Sequence, residues 1–367
     1  MKNSNGIAAI AAAMLTLMLL AVATSRLIYP FDVGHYEACI RTPALLSAEG
    51  HNPYASATQP PFVMAPYGYL YYLLVGVGLR LSGLQFWFGR ALTILSAAIC
   101  LFCVVRIATS LTRNREAVWL AVLSFLSAIT LHHWLGVHRP DLPALAVAFA
   151  GLTLVFDLAE KAGRIRPRAP LVLMMAVLLL AGAFFFKQTA ILPAMVAVAR
   201  CWQIDRRRLA IFIAGAGLIL TAMAMLLLNA TSGGQYFWQH FTLMQQVPHS
   251  YATSRRWVFS LFKMPAVWIT ASVIGAALLL EIQRVRGAEN SPRLAQFNRF
   301  LKSPRSLIVL YFISTAIFGF ITSARQGSYI SYHLETLMAA SIVVAVAWDN
   351  LAARFNRRFV YQALVLA

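Results

Sequence analysis

Acidic side chains are scarce in this sequence: 12 Asp and Glu among 367 residues, against 31 Lys and Arg. Charged residues of both signs make up 12% of the chain and hydrophobic ones 60%. A soluble domain carries about a quarter charged residues, so an aqueous globular enzyme is excluded. Cysteine is also rare, and its four residues form no disulfide framework. Cys100 and Cys103, spaced C-x-x-C inside an apolar run, read as small buried side chains rather than a redox or metal pair. The chain lacks a P-loop, a zinc-protease motif, a dinucleotide fingerprint and a nucleophile elbow in suitable context. The period-2 alternation of an outer-membrane barrel is missing as well.

What fills the chain is a succession of apolar runs of about 20 residues, the length that a bilayer's hydrocarbon core requires. They read as helices, because open strands in lipid would leave backbone groups unpaired. The expected fold is an all-α membrane protein, a polytopic bundle of about ten transmembrane helices in a single integral membrane domain over residues 1–367, without a large soluble domain. A net charge of +19 invites a nucleic-acid partner. The Lys and Arg residues, however, cluster between apolar segments, where the positive-inside rule places them, so the expected partner is the lipid bilayer and no nucleic acid.

Lys2 followed by the apolar run Ile7 to Thr24 resembles a secretory signal with Ala21-Val22-Ala23 as its cleavage site, but the run is long for one and reads as an uncleaved first helix. Helix 1 then covers about Ile7 to Arg26 and leads to an outer stretch within residues 28–88. The aromatic segment Tyr67 to Leu81 is short and reads as a helix lying in the interface. The following helices are expected over about Phe88–Leu111, Ala117–Leu135, Leu142–Leu158, Leu171–Phe186, Thr189–Cys201, Leu209–Leu228, Val258–Leu280, Ser306–Thr322 and Thr336–Trp348. This threading puts most Lys and Arg inside, including the clusters at 161–168, 206–208 and 284–305. Making Tyr67 to Leu81 a span would turn those clusters outward, against the rule.

The same threading gathers polar groups from separate loops on the outer side. The first outer loop carries three of the scarce acids, Asp32, Glu37 and Glu49. One general base with an orienting partner or metal ligand is one reading of Asp32 and Glu37; loop solvation and helix N-terminal charge is the other. Asp141, in His138-Arg139-Pro140-Asp141, stands where a helix N-cap would, but a cap does not account for the adjacent Arg139. Lys187 interrupts an apolar run and suits either a phosphate contact or a hairpin boundary. Arg325, His333 and Glu335 belong to the last outer loop, where helix capping and ligand contact are both open. The aromatic stretch Gln235 to His240 fits an interfacial belt.

Taken in order, these motifs resemble the GT-C polyprenyl-phosphate-sugar-dependent glycosyltransferases, in the family 39-like branch with aminoarabinose transferases and protein mannosyltransferases. The likeness rests on Asp32, Tyr36-Glu37, Gly50-His51-Asn52-Pro53-Tyr54, Pro60-Pro61, the aromatic Tyr67 to Tyr72, Arg90 opening the second span, Arg139-Pro140-Asp141 and Lys187. It runs over about residues 1–200, with Tyr332 to Glu335 beyond it. Two features depart from that pattern: Val33 follows Asp32 where relatives often have a second acid, and no Lys precedes the aromatic segment.

The resemblance implies a GT-C-like fold and an inverting transfer of a sugar from a polyprenyl-phosphate donor to a lipid, glycan or protein acceptor. It places the protein in the cytoplasmic (inner) membrane with its site on the periplasmic or extracellular side. Asp32 would be the base, with Glu37 and Asp141 in support. A divalent metal cation on Asp32 and Asp141 is a further expectation. Arg139, Lys187 and Arg325 would hold the donor phosphate, and Tyr54, His333 and Glu335 would contact acceptor or sugar. The competing class is a transporter or lipid-linked-glycan flippase. Such folds often show internal repeats and charges at mid-membrane; no convincing repeat is found, and the charges here gather at one interface.

Overall fold

The computed structural model describes residues 2–34, 36–54, 60, 62–83, 85–160, 169–203, 207–262, 275, 301–325 and 330–352. Most of the expected helix over Val258–Leu280 and the basic clusters at 161–168 and 284–299 lie outside them. The described residues are helical, in the order α1 (Lys2–Ile28), α2 (Tyr36–Ala48), α3 (Tyr69–Ser82), α4 (Trp87–Leu111), α5 (Arg115–Leu126), α6 (Ile129–Trp134), α7 (Asp141–Glu160), α8 (Ala169–Phe184), α9 (Leu192–Gln203) and α10 (Arg207–Thr231). Then come α11 (Gln235–Phe237), a π-helical turn (Trp238–Thr242), α12 (Leu243–Gln246), α13 (Tyr251–Phe262), α14 (Pro304–Thr322), a 3-10 turn (Ile330–His333) and α15 (Leu334–Ala352).

Among the described residues six helices are long and apolar enough to cross a membrane: those at Gly6–Ile28, Trp87–Leu111, Asp141–Leu158, Arg207–Thr231, Pro304–Thr322 and Ile330–Ala352. The chain is a multi-pass helical membrane protein. α7 and α15 form its interior, with 72% and 78% of their apolar windows buried, whereas α10, at 6%, turns its side chains outward. Small residues let the inner helices approach, as at Ala144, Ala148, Ala183 and Ala190.

Several boundaries differ from the expected ones for local reasons. The single span foreseen over Ala117–Leu135 is broken at Ser127 and Ala128 into α5 and α6. α5 starts where the Asn114 side chain accepts from the Glu116 N–H, an Asx-type cap that the basic sequence concealed. Two of the scarce acids are used at the other ends of spans, where Asp157 pairs with Arg106 at 2.8 Å and Asp349 with Arg305 at 2.5 Å.

The stretch between α1 and α4 folds into α2 and α3. With 14 residues, α3 is about 21 Å long, short of the roughly 30 Å hydrocarbon core. Its N-terminus is anchored on the break between α8 and α9, where the Gly68 N–H donates to Phe186 O (3.2 Å) and the Leu70 N–H to Phe185 O (3.0 Å). A Cβ on Gly68 would lie 2.0 Å from the Phe185 carbonyl oxygen, so only glycine permits this approach. Gly68→Ala is expected to lower the unfolding midpoint in detergent by several degrees and to reduce whatever activity Lys187 supports. An unchanged midpoint would show that the backbones separate without cost.

Candidate active site

Two buried ionic clusters organise the end of the bundle that holds α2 and the N-terminus of α3. In the first, Arg90 enters from the first turn of α4 and is fully buried. Its Nε donates to Glu37 Oε1 (3.1 Å) and its Nη2 to Glu37 Oε2 (2.7 Å), a two-point contact. The same guanidinium donates to the carbonyls of Arg26 (2.7 Å), Tyr29 (2.5 Å) and Phe31 (2.6 Å). Glu37 also accepts the N–H of Val33 (2.8 Å) and of His138 (2.6 Å). Burial pushes the Glu37 carboxyl up, but the Arg90 contacts and the two backbone N–H donors outweigh it and hold it below the usual carboxylate range. Glu37 therefore fastens the end of α1, the first loop and the start of α7 together. Its oxygens are engaged in this work, which makes it a positioning residue.

The second cluster begins one residue after His138. Asp141, the first residue of α7, is buried and receives Arg139 Nε on Oδ2 (2.9 Å) and Lys187 Nζ on Oδ1 (2.5 Å). Arg139 lies over the rings of Trp134 (4.5 Å), Tyr36 (4.9 Å) and Tyr67 (6.0 Å), an aromatic cage that keeps the guanidinium in place. Lys187 lies over Tyr332 at 4.2 Å. It occupies the turn between α8 and α9, where its backbone N–H still reaches Ala183 O at 3.0 Å. The segment 138–141 thus belongs to both clusters, and Tyr36, next to Glu37, touches the second through Arg139. Burial pushes the His138 imidazole down to about 4, so it is neutral, and Gly89 gives its ring room, since a Cβ there would lie 2.2 Å away.

Asp141, Lys187, Ser331, Tyr332 and Glu335 line one small pocket. Glu335 is buried, and its Oε1 accepts the Tyr311 hydroxyl at 2.7 Å. The structure thus brings Arg139, Asp141, Lys187 and Glu335 together. Asp32 lies in the first loop, half-buried, its oxygens accepting the N–H groups of Gly34 (2.8 Å) and Ala38 (3.2 Å), so that it caps α2. His333 is buried against Gly319, where a Cβ would lie 3.0 Å from its Nδ1. Tyr54 is buried and donates its hydroxyl to Tyr67 O (3.0 Å), fastening the loop beneath the site. Arg325 is placed by a backbone bridge to His249 and does not line the pocket.

Among the described residues no group of three or more His, Cys, Asp and Glu side chains is placed to hold a metal ion. The expected pair does not suit a divalent cation as arranged, because Asp141 is engaged by two cations and Asp32 by two backbone N–H groups. Sequence reasoning located Arg90 but not its partner, and it missed Ser331 and Tyr311. Arg90 could have been paired from the cost of a guanidinium in an apolar helix; a lone Ser and a lone Tyr carry no such signal.

No protein-family model matches the chain, and no curated protein is similar to it in sequence. In structure it is similar to ArnT from Cupriavidus metallidurans bound to undecaprenyl phosphate, with TM-score 0.65 and 16% identity over 96% of this chain and 62% of that one. The apo state of the same protein gives TM-score 0.64 and 17% identity over 95% and 61%. The archaeal oligosaccharyltransferase AglB from Archaeoglobus fulgidus, in complex with an inhibitory peptide and a dolichol-phosphate, gives TM-score 0.53 and 11% identity over 99% and 53%. The chain therefore spans about three fifths of the length of ArnT and about half that of AglB.

Proposed function

We propose that this chain, which has the GT-C membrane fold, transfers a sugar from a polyprenyl-phosphate donor to a lipid, glycan or protein acceptor at the outer face of the cytoplasmic membrane. The observation that carries the reading is the convergence of two buried cations, Arg139 and Lys187, on one carboxylate beside a pocket. Buried cations in a membrane protein are costly and mark functional sites. Two structural neighbours that hold lipid phosphates, one with undecaprenyl phosphate and one with a dolichol-phosphate, support the same ligand class.

Asp141 holds the two cations aimed before the donor arrives. The acceptor hydroxyl attacks the anomeric carbon from the face opposite the lipid phosphate, so the new glycosidic bond forms as the sugar–phosphate bond breaks, with inversion. The hydroxyl proton passes to Asp32, and the bond's electron pair leaves on the phosphate, where Lys187 and Arg139 stabilise the growing charge. Glu37 and Arg90 hold the loop that presents Asp32. No step is routed through a metal ion. A transporter is disfavoured by the position of the charges, at helix ends rather than at mid-membrane.

The test is Asp32→Asn in the purified protein, incubated with radiolabelled polyprenyl-phosphate sugars and scored by loss of lipid-linked label. Transfer should disappear while insertion and donor binding persist. Near-normal turnover in that variant would remove Asp32 from the base role.

A further inference from the structure

We propose that Gln239 and His240, in the π-helical turn after α10, are positioning residues for the two cations of the second cluster. They grip the backbone of Ala65 to Tyr67, and that stretch aims Arg139 and Lys187 at the donor phosphate. This rests on the donor reading above and adds to it the residues that hold its cations in place. From its aromatic content the segment Gln235 to His240 suits an interfacial belt, yet Tyr236 and Gln239 are fully buried and His240 nearly so. The inward turn has a local cause. α10 ends in a Schellman motif, in which Gly233 and Gly234 take left-handed φ of 59° and 86°. The Gly234 N–H donates to Asn229 O (2.8 Å) and the Gly233 N–H to Ala230 O (3.2 Å). The Asn229 side chain then accepts the Phe237 N–H (3.0 Å), and the Ser232 hydroxyl oxygen accepts the Tyr236 N–H (2.9 Å), which fastens the following residues to the end of α10. There the chain widens into a single π-helical turn over Trp238–Thr242, a rare form that is frequent at functional sites.

The grip is made of buried polar contacts. Gln239 Oε1 accepts the Ala65 N–H at 2.8 Å. The His240 ring stands with Nε2 3.0 Å from Tyr67 O and Nδ1 3.0 Å from Tyr236 O, and Tyr67 O also accepts the Tyr54 hydroxyl (3.0 Å). The rings of Tyr54, Tyr236 and His240 pack on one another with centroids 4.4 to 5.1 Å apart. Beyond this grip the same stretch reaches both cations. The Tyr67 ring lies 6.0 Å from the Arg139 guanidinium. The Gly68 and Leu70 N–H groups donate to Phe186 O and Phe185 O, the two residues that lead into Lys187. Residues 65–70 thus join the π-helical turn to both sides of the second cluster. Without Gln239 the buried Ala65 N–H has to find another acceptor, so the stretch shifts. A shift of about 1 Å at a group that acts on the reacting atoms can cost about a hundredfold in rate.

The test compares wild type, Gln239→Leu and His240→Phe as full chains in nanodiscs. Leucine is close to glutamine in size but cannot accept from Ala65, and phenylalanine keeps a ring against Tyr54 and Tyr236 while losing both nitrogens. Backbone hydrogen exchange across residues 62–72 of the ligand-free protein should speed up about threefold or more in each variant. Turnover on a radiolabelled polyprenyl-phosphate sugar should fall about tenfold. Affinity for bare polyprenyl phosphate should fall by about threefold or less, because aimed cations count most as charge grows on the departing phosphate. In a Lys187→Met background, where one of the aimed cations is gone, Gln239→Leu should lower turnover by no more than about threefold. The proposal is overturned if exchange across 62–72 is unchanged in both variants, or if the Gln239→Leu and Lys187→Met losses multiply in full. It is also overturned if exchange rises while turnover, well below the unfolding midpoint, stays within about twofold of the wild type, since the turn then only knits the loop. Should Gln239→Leu fail to insert, His240→Phe decides alone, in both backgrounds. A wild type that neither binds polyprenyl phosphate nor transfers its sugar removes the donor reading and this role with it, whereas an active wild type with indifferent variants removes the role alone.

Discussion

Arg90→Met is expected to produce the largest loss of stability of any single substitution in the two ionic clusters. The methionine fills most of the space but leaves Glu37 buried without its cation and three carbonyls, those of Arg26, Tyr29 and Phe31, without donors. Removing one partner of a buried ion pair costs about 3–5 kcal/mol, a shift large enough to follow by thermal unfolding in detergent. The double variant Glu37→Met with Arg90→Met should recover part of that loss, because no unpaired charge remains, although the loop would keep its orphaned carbonyls. Recovery to less than the single-variant midpoint would mean that the pair stabilises by more than charge balance. The pH dependence follows from the depressed Glu37 carboxyl. Its contribution is complete at neutral pH and is lost as the pH falls through and below the ordinary carboxylate range, since the unfolded chain binds that proton first. Glu37→Gln should flatten this part of the acid limb.

The architecture was legible because it depends on amounts that add along the chain. Apolar runs of bilayer length and the bias of Lys and Arg between them suffice to thread the membrane, and it is this bias that kept Tyr67 to Leu81, where the 14-residue α3 forms, out of the list of spans. What the hydropathy pattern could not register is local backbone chemistry. Ser127 and Ala128 interrupt an apolar stretch without any residue that forbids a helix, and α5 before the turn packs against α1 and α15.

The site was legible in its charges and illegible in its pairings. Scarcity singled out Asp32, Glu37 and Asp141, and an interrupted apolar run singled out Lys187. That Lys187 meets Asp141 depends on α7 lying along α8, a contact between residues 46 apart that no periodicity encodes. The same holds for Glu37, which looked like a catalytic acid until Arg90, 53 residues away, was found holding both its oxygens. Tyr36 and Trp134 carry no charge to single them out, yet both rings cover the Arg139 guanidinium. In each case the sequence shows which group is expensive to bury, and the fold decides which neighbour offsets the cost.

Lys187→Met should separate catalysis from architecture. Asp141 would keep Arg139 at 2.9 Å, so the carboxylate is not stranded and the midpoint of unfolding should fall by less than in Arg90→Met. Transfer, by contrast, should fall by about two to three orders of magnitude, the usual effect of removing one donor from a preorganised site that stabilises developing charge. Affinity for bare polyprenyl phosphate should weaken by a smaller factor, because the ground-state phosphate retains Arg139 while the departing phosphate, with its greater charge, loses the nearer cation. Lys187→Arg tests whether charge alone suffices. A guanidinium is planar and larger than the ammonium that fits between Asp141 and the Tyr332 ring, so lipid-phosphate binding should return toward the wild-type value while turnover remains depressed. If Lys187→Met turns over at the wild-type rate, the second cluster is structural and the phosphate lies elsewhere. If Lys187→Arg restores turnover in full, the position requires only a positive charge, and the close fit to Asp141 and Tyr332 has no part in the reaction.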